Sequence, residues 1–201
     1  MHDFIKIILL FIILAIAFVG HRMITPKSDL AVPTQTPTPI NNKYFGVNIA
    51  GPEFEIAHYT DDKYPGFDHY KSYGLTMVRI PFKWERIQPA LEKPLDRYAL
   101  GKLNDMVDSA EKAGSQVIIE PHNFGRYNEQ SLTTQDTQKF ADLWRRLAEH
   151  FQDSSGIWGY ELMNEPHDMP GGCENWRLQS QAAIDAIREK DQTHYILIPG
   201  Y

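Results

Sequence analysis

Cysteine is almost absent from this chain: Cys173 is the only one in 201 residues. That excludes an intrachain disulfide and a cysteine-based zinc cluster. A nucleophilic role for the thiol would need a paired histidine, and His167 is the one near it in sequence. Basic runs are absent too. The 20 Lys and Arg are outnumbered by 26 Asp and Glu, and no Arg/aromatic stripe occurs, which argues against a nucleic-acid partner. No internal repeat is present. The first strand-like segment is followed by Asn48-Ile49-Ala50-Gly51-Pro52-Glu53 rather than a Gly-rich phosphate loop. Apolar residues are not scarce: they make up 42%, which is enough for one domain with a real core and excludes a disordered chain.

The N-terminus differs from the rest. Lys6 precedes an uninterrupted apolar run from Ile7 to Gly20, shorter than the ~20 residues of a spanning helix. Residues 1–24 read as a secretory signal peptide, with Ala15-Ile16-Ala17 as the cleavage site, or as an uncleaved signal anchor followed by His21 and Arg22. Both readings export the remainder, and only the second gives it a membrane contact, through residues 7–20. Residues 25–42 hold Pro26, Pro33, Pro37 and Pro39 among several threonines and read as an extended linker. The folded part is expected from Lys43 to Tyr201.

Within it, strand and helix patterns alternate. Tyr44–Asn48, Met77–Pro81, Gln116–Pro121, Gly159–Met163 and Tyr195–Pro199 are short, apolar on both faces and bounded by Gly or Pro. That is the pattern of parallel strands covered on both sides. Four helices are expected between them: Phe67–Tyr73, Asp96–Ala113, Gln135–Phe151 and Trp176–Lys190. Gly114 sits where a helix C′ glycine belongs, and Phe140, Leu143, Trp144, Leu147 and Phe151 form one stripe. Trp84 and Trp144 read as core. Such alternation makes right-handed βαβ units, in an open sheet or in a barrel. Polar residues recur in or just after successive strands: Asn48, Arg79, His122 with Asn123, and Asn164 with Glu165. A ring of such groups is the catalytic face of a barrel, and the barrel is the expected fold.

Arg79-Ile80-Pro81-Phe82, Pro121-His122-Asn123 and Met163-Asn164-Glu165-Pro166-His167-Asp168 resemble the motifs of family 5 glycoside hydrolases, the cellulase family of retaining (β/α)8 enzymes. Phe45-Gly46-Val47-Asn48, Trp84-Glu85-Arg86-Ile87-Gln88-Pro89 and Phe140-Ala141-Asp142-Leu143-Trp144 resemble its endoglucanases as well. The resemblance runs from about Tyr44 to Pro199. It implies a β-1,4-glucan substrate, with mannan or another β-glycan as the alternative, and neither metal nor cofactor. It makes Glu165 the acid that protonates the leaving oxygen and later deprotonates water. It aims Asn164 at the sugar 2-OH and gives Arg79 the task of holding the nucleophile ionised. It makes His122 a sugar-binding histidine. Asn123 and Tyr127 follow on the same loop and are candidates for further sugar contacts, as is Trp176, which follows the Glu165 loop.

The same resemblance exposes a gap. The family's nucleophile is a glutamate at the end of the seventh strand, and only five strands are expected here. From Lys43 the chain falls well short of the roughly 250 residues of a complete barrel. Glu120 and Glu161 lie inside strands and do not match the nucleophile motif. The expectation is an incomplete (β/α)8 TIM barrel of about five strands and four helices. This would be the N-terminal part of a cellulase, inactive by itself. A non-catalytic carbohydrate-binding remnant is the rival expectation.

Overall fold

The computed structural model describes residues 44–51 and 66–201. The segments read as signal peptide or anchor and as linker lie outside these residues. All the described residues fall in the unit Asn42–Tyr201. Among them, no helix is long and apolar enough to cross a membrane.

Five parallel strands form the main sheet: β1 (Gly46–Asn48), β2 (Met77–Phe82), β3 (Gln116–Pro121), β6 (Ile157–Glu161) and β7 (Tyr195–Leu197), side by side in that order. Each pair is consecutive in the chain, apart from a small antiparallel hairpin, β4 (Arg126–Tyr127) and β5 (Gln130–Ser131), that follows β3. The connecting helices are α1 (Phe67–Ser72), α2 (Trp84–Ile87), α3 (Arg97–Lys112), α4 (Thr137–Phe151) and α5 (Gly172–Arg188). The five expected strands and the four longer helices are present, with ends displaced by a few residues. The short α2 and the hairpin had no periodic pattern to announce them.

Local chemistry explains the helix limits. The Asp96 side chain caps α3 by accepting from the Tyr98 and Ala99 amides, and Gly114 follows its end at φ +75°. Thr133 and Asp136 form a reciprocal capping box ahead of α4. α5 begins four residues before Trp176, because Gly171 and Gly172 both take positive φ and turn the chain into the helix early.

The core lies between the helices and one face of the sheet. Val78, Ile80 and Phe82 of β2, Val117 and Ile119 of β3, and Tyr160 of β6 face Leu103, Met106 and Val107 of α3 and Phe140, Leu143, Trp144 and Leu147 of α4. Trp84 and Trp144 are fully buried, as their sequence context led us to expect. Gly159 admits β7: a Cβ there would stand 2.8 Å from the Tyr195 carbonyl oxygen. The other face of the sheet carries the polar residues.

β7 is anchored at its start by Asp191, 2% exposed. Its carboxylate accepts from Tyr160 Oη at 2.7 Å, from the backbone N–H groups of Thr193 and His194, and from the His194 ring. Burial opposes its charge, but these donors outweigh it and hold the carboxyl well below the ordinary carboxylate value. A carboxyl depressed in the folded state stabilises fully above its unfolded value, near pH 4, and loses that contribution as the pH falls through the folded value. We therefore expect Asp191→Asn to destabilise the fold by about 1.5–3 kcal/mol at neutral pH. Denaturant titrations at pH 7 and pH 3 check this: the gap between variant and parent should narrow in acid.

Candidate active site

Arg79 is the third residue of β2 and points to the concave, polar side of the sheet, the face opposite Val78 and Ile80. A guanidinium in an apolar strand needs partners, and other strands of the sheet supply them. Nε donates to Glu161 Oε2 at 2.7 Å and Nη2 to Glu161 Oε1 at 2.9 Å, a bidentate fork onto β6. Nη2 also donates to Asn164 Oδ1 at 3.0 Å, and Nη1 donates to Asn48 Oδ1 at 3.0 Å at the end of β1. Glu120 Oε1 of β3 lies 3.1 Å from Nη1. Burial disfavours the charge, yet the Glu161 hydrogen bonds and the charges of Glu120, Glu161 and Glu165 raise Arg79 above its ordinary value. All three guanidinium nitrogens are engaged by residues of this chain.

Glu120 is fully buried. Its Oε1 also meets His122 Nδ1 at 2.7 Å, while its Oε2 has no hydrogen-bond partner. Burial raises its carboxyl above the usual value, and His122 and Arg79 pull it back. His122 Nε2 stands 3.5 Å from Asn164 Nδ2. Asn164 is buried and its backbone N–H donates to the Pro121 carbonyl, so the turn after β6 is tied to the end of β3.

Glu165 follows with an exposed side chain and a backbone φ of +39°. A non-glycine residue held in this conformation costs roughly 1–2 kcal/mol, and the surrounding loop imposes it. His167 supplies part of that hold. Its Nδ1 donates back to the Glu165 carbonyl at 2.7 Å, and its ring meets Phe124 edge-on at 5.7 Å. Phe124 in turn packs edge-on against His122 at 5.0 Å. The Glu165 charge is the smallest of the contributions that raise Arg79.

Three of the residues singled out from sequence therefore meet through their side chains, Arg79, His122 and Asn164, and Glu165 directly follows Asn164 in the chain. Three do not face the trough. Asn123 is buried; its Oδ1 accepts from the Trp84 N–H and its Nδ2 donates to Glu85, so both ends of the amide serve the turn into α2. The Tyr127 hydroxyl donates to the Gln88 carbonyl while its ring packs on Trp84. Trp176 is 4% exposed and its Nε1 donates to the Pro199 carbonyl, making it core rather than a stacking platform. Glu120 and Glu161, set aside in the sequence because they lie inside strands, belong to the cluster. The signal that could have found them is Arg79 itself, whose charge demanded acceptors on the same face of the sheet, from the adjacent β3 and from β6 beyond it. Among the described residues, no group of three His, Cys, Asp or Glu side chains is placed to hold a metal ion.

Sequentially neighbouring parallel strands, helices on one face and polar strand ends on the other define part of a β/α barrel enzyme fold. The sequence model of Cellulase (glycosyl hydrolase family 5) matches residues 40–201, and the chain belongs to that family. It is 32% identical over 195 residues to a manganese-dependent endoglucanase, Eg5A, of Phanerodontia chrysosporium, covering 90% of this chain and 49% of the relative. The endoglucanase Cel5A of Pseudomonas stutzeri superposes with a TM-score of 0.69 at 38% identity, over 78% of this chain and 51% of that one. XacCel5A, solved in complex with cellopentaose, superposes with a TM-score of 0.70 at 35% identity, over 79% and 53%. The chain spans about half the length of these relatives, and its five-stranded sheet is a partial (β/α)8 barrel.

The fork between Arg79 and Glu161 supports a stability prediction. Lysine keeps the charge but presents no planar fork and cannot serve four acceptors on three strand ends. Arg79→Lys should cost about 2–4 kcal/mol of folding free energy, since it strands partly buried carboxylates. Urea denaturation monitored by circular dichroism measures the change, and a loss below about 0.5 kcal/mol would show the cluster to be solvated.

Proposed function

We propose that residues 43–201 supply the proton-donor side of a retaining endo-β-1,4-glucanase site. In this reading Glu165 protonates the glycosidic oxygen of a β-glucan and later deprotonates the attacking water. Asn164 and His122 bind the sugar at the cleavage point, and Arg79 sets the charge of the trough. The observation that carries the proposal is the meeting of Asn164, His122 and Arg79 at the strand end from which Glu165 emerges. Membership of glycosyl hydrolase family 5 and the likeness to endoglucanases support it. A β-mannan is the alternative polymer. We propose as well that residues 1–24 direct export, as a cleaved signal or as an anchor.

Retention requires a second carboxyl group ~5–5.5 Å from the first. Glu161 and Glu120 are both committed to Arg79, and Glu120 to His122 as well, so neither is offered here as the nucleophile. The proposal therefore has this chain bind the glucan without cleaving it. The engagement of all three Arg79 nitrogens without any outside carboxylate favours a second reading, a purely carbohydrate-binding role.

The chain should release no reducing ends from a soluble cellulose derivative, while cellopentaose should bind saturably in calorimetry and perturb the NMR signals of His122 and Asn164. Mannopentaose is the parallel ligand that separates the two polymers. Measurable turnover would place the nucleophile within these residues. Absence of binding by either oligosaccharide would remove the carbohydrate reading altogether.

A further inference from the structure

Glu120 has no part in the reaction assigned to Glu165, yet it is the most deeply buried charge at the site. It belongs to a closed cycle of four side chains. Arg79 Nη1 pairs with Glu120 Oε1 at 3.1 Å, and Glu120 Oε1 meets His122 Nδ1 at 2.7 Å. His122 Nε2 faces Asn164 Nδ2 at 3.5 Å, and Asn164 Oδ1 accepts from Arg79 Nη2 at 3.0 Å.

The direction of every link follows from the one member that has no choice. A guanidinium only donates. Ion-paired with Arg79 at 3.1 Å, Glu120 stands as a carboxylate, which only accepts, so the proton between Glu120 and His122 sits on Nδ1. A neutral imidazole with its proton on Nδ1 has a bare Nε2. That lone pair accepts from Asn164 Nδ2, which leaves Asn164 Oδ1 to accept from Arg79, closing the cycle without a donor–donor or acceptor–acceptor clash. The opposite tautomer fails: an Nε2 proton would face the amide nitrogen, and flipping the amide would set that nitrogen against Arg79.

We propose that Glu120 is a positioning residue that locks His122 in its Nδ1–H tautomer and thereby turns the Asn164 amide nitrogen towards the ligand trough. One N–H of that amide serves His122; the second is offered to a ligand oxygen. The site thus selects a hydroxyl oxygen acting as acceptor at the point nearest Glu165. The ligand half of this inference rests on the carbohydrate-binding reading above. The tautomer half does not.

The test uses the full 201-residue chain with 15N-labelled histidine. Long-range 1H–15N correlation, with His122→Asn to assign the ring, should find neutral His122 protonated at Nδ1. A proton on Nε2 would overturn the proposal whatever the oligosaccharide data say. In Glu120→Gln the amide has both a donor and an acceptor end, so the tautomers should mix and cellopentaose affinity should fall on the order of tenfold, about 1.4 kcal/mol. Glu120→Asp should recover part of both. A folded Glu120→Gln protein with unchanged tautomer and unchanged affinity would also refute the role. If the parent chain binds no cellopentaose, the glucan reading fails, and the tautomer measurement alone still decides for or against Glu120. If Glu120→Gln does not fold, the tautomer of the parent chain decides: Nδ1–H supports the role of Glu120 and Nε2–H refutes it.

Discussion

A single positive charge organises the concave face of this sheet. Arg79 sits mid-strand in β2, between buried apolar residues, and is itself only partly exposed. The penalty for an unpaired charge there exceeds any single hydrogen bond, so acceptors must converge from several strands. Asn48, Glu120, Glu161 and Asn164 do so from the ends of β1, β3 and β6. The convergence fixes more than a pair of charges. It ties the ends of β1, β3 and β6 to the middle of β2 on the polar face of the sheet.

The strand–helix alternation was legible because each strand is short and apolar on both faces while each long helix carries a 3.6-residue stripe and a recognisable cap. The Gly114 stop and the Phe140–Phe151 stripe both stand where the pattern put them. Helix α5 was placed late because its first turn, Gly172 to Asn175, carries no apolar stripe: Asn175 is buried but spends its amide on the backbone carbonyls of Leu132 and Pro170. Burial of that kind leaves no hydrophobic period to read. The hairpin after β3 was missed for a related reason, since two-residue strands show no alternation.

The site was legible in its strand-end motifs and misleading in their neighbours. Asn123 and Tyr127 follow His122 on one loop, and Trp176 follows Glu165, so sequence proximity made them look like sugar contacts. Three-dimensional packing sends them the other way. Asn123 and Tyr127 brace Trp84 and Gln88, and Trp176 packs beside Phe140 at 6.2 Å. Conversely, Glu120 and Glu161 were set aside as nucleophiles because they lie within strands. A strand residue in a barrel has two possible fates, core or trough, and parity alone decides between them.

Parity is where the sheet holds its least visible device. Val117 pairs with Ile157, but Ile118 pairs with Gly159, so Trp158 is an extra residue in β6. Ile157 and Tyr160 both lie in the core cluster on the helix side. Strict alternation from Ile157 would send Tyr160 to the concave face and Glu161 to the core, because a one-residue slip exchanges the two faces. The inserted Trp158 reverses that assignment, and Glu161 arrives opposite Arg79. Trp158 is itself held by the sheet it bends. It stacks on Tyr195 of β7 at 4.4 Å and meets Tyr44, just ahead of β1, at 5.7 Å. The two outermost strands are thereby drawn towards one ring, and the curvature that gathers the polar strand ends is coupled to the bulge that aims Glu161. The arrangement of the site thus depends on an aromatic residue that touches none of its polar groups, at a position where the sequence shows only one more apolar side chain in an apolar run.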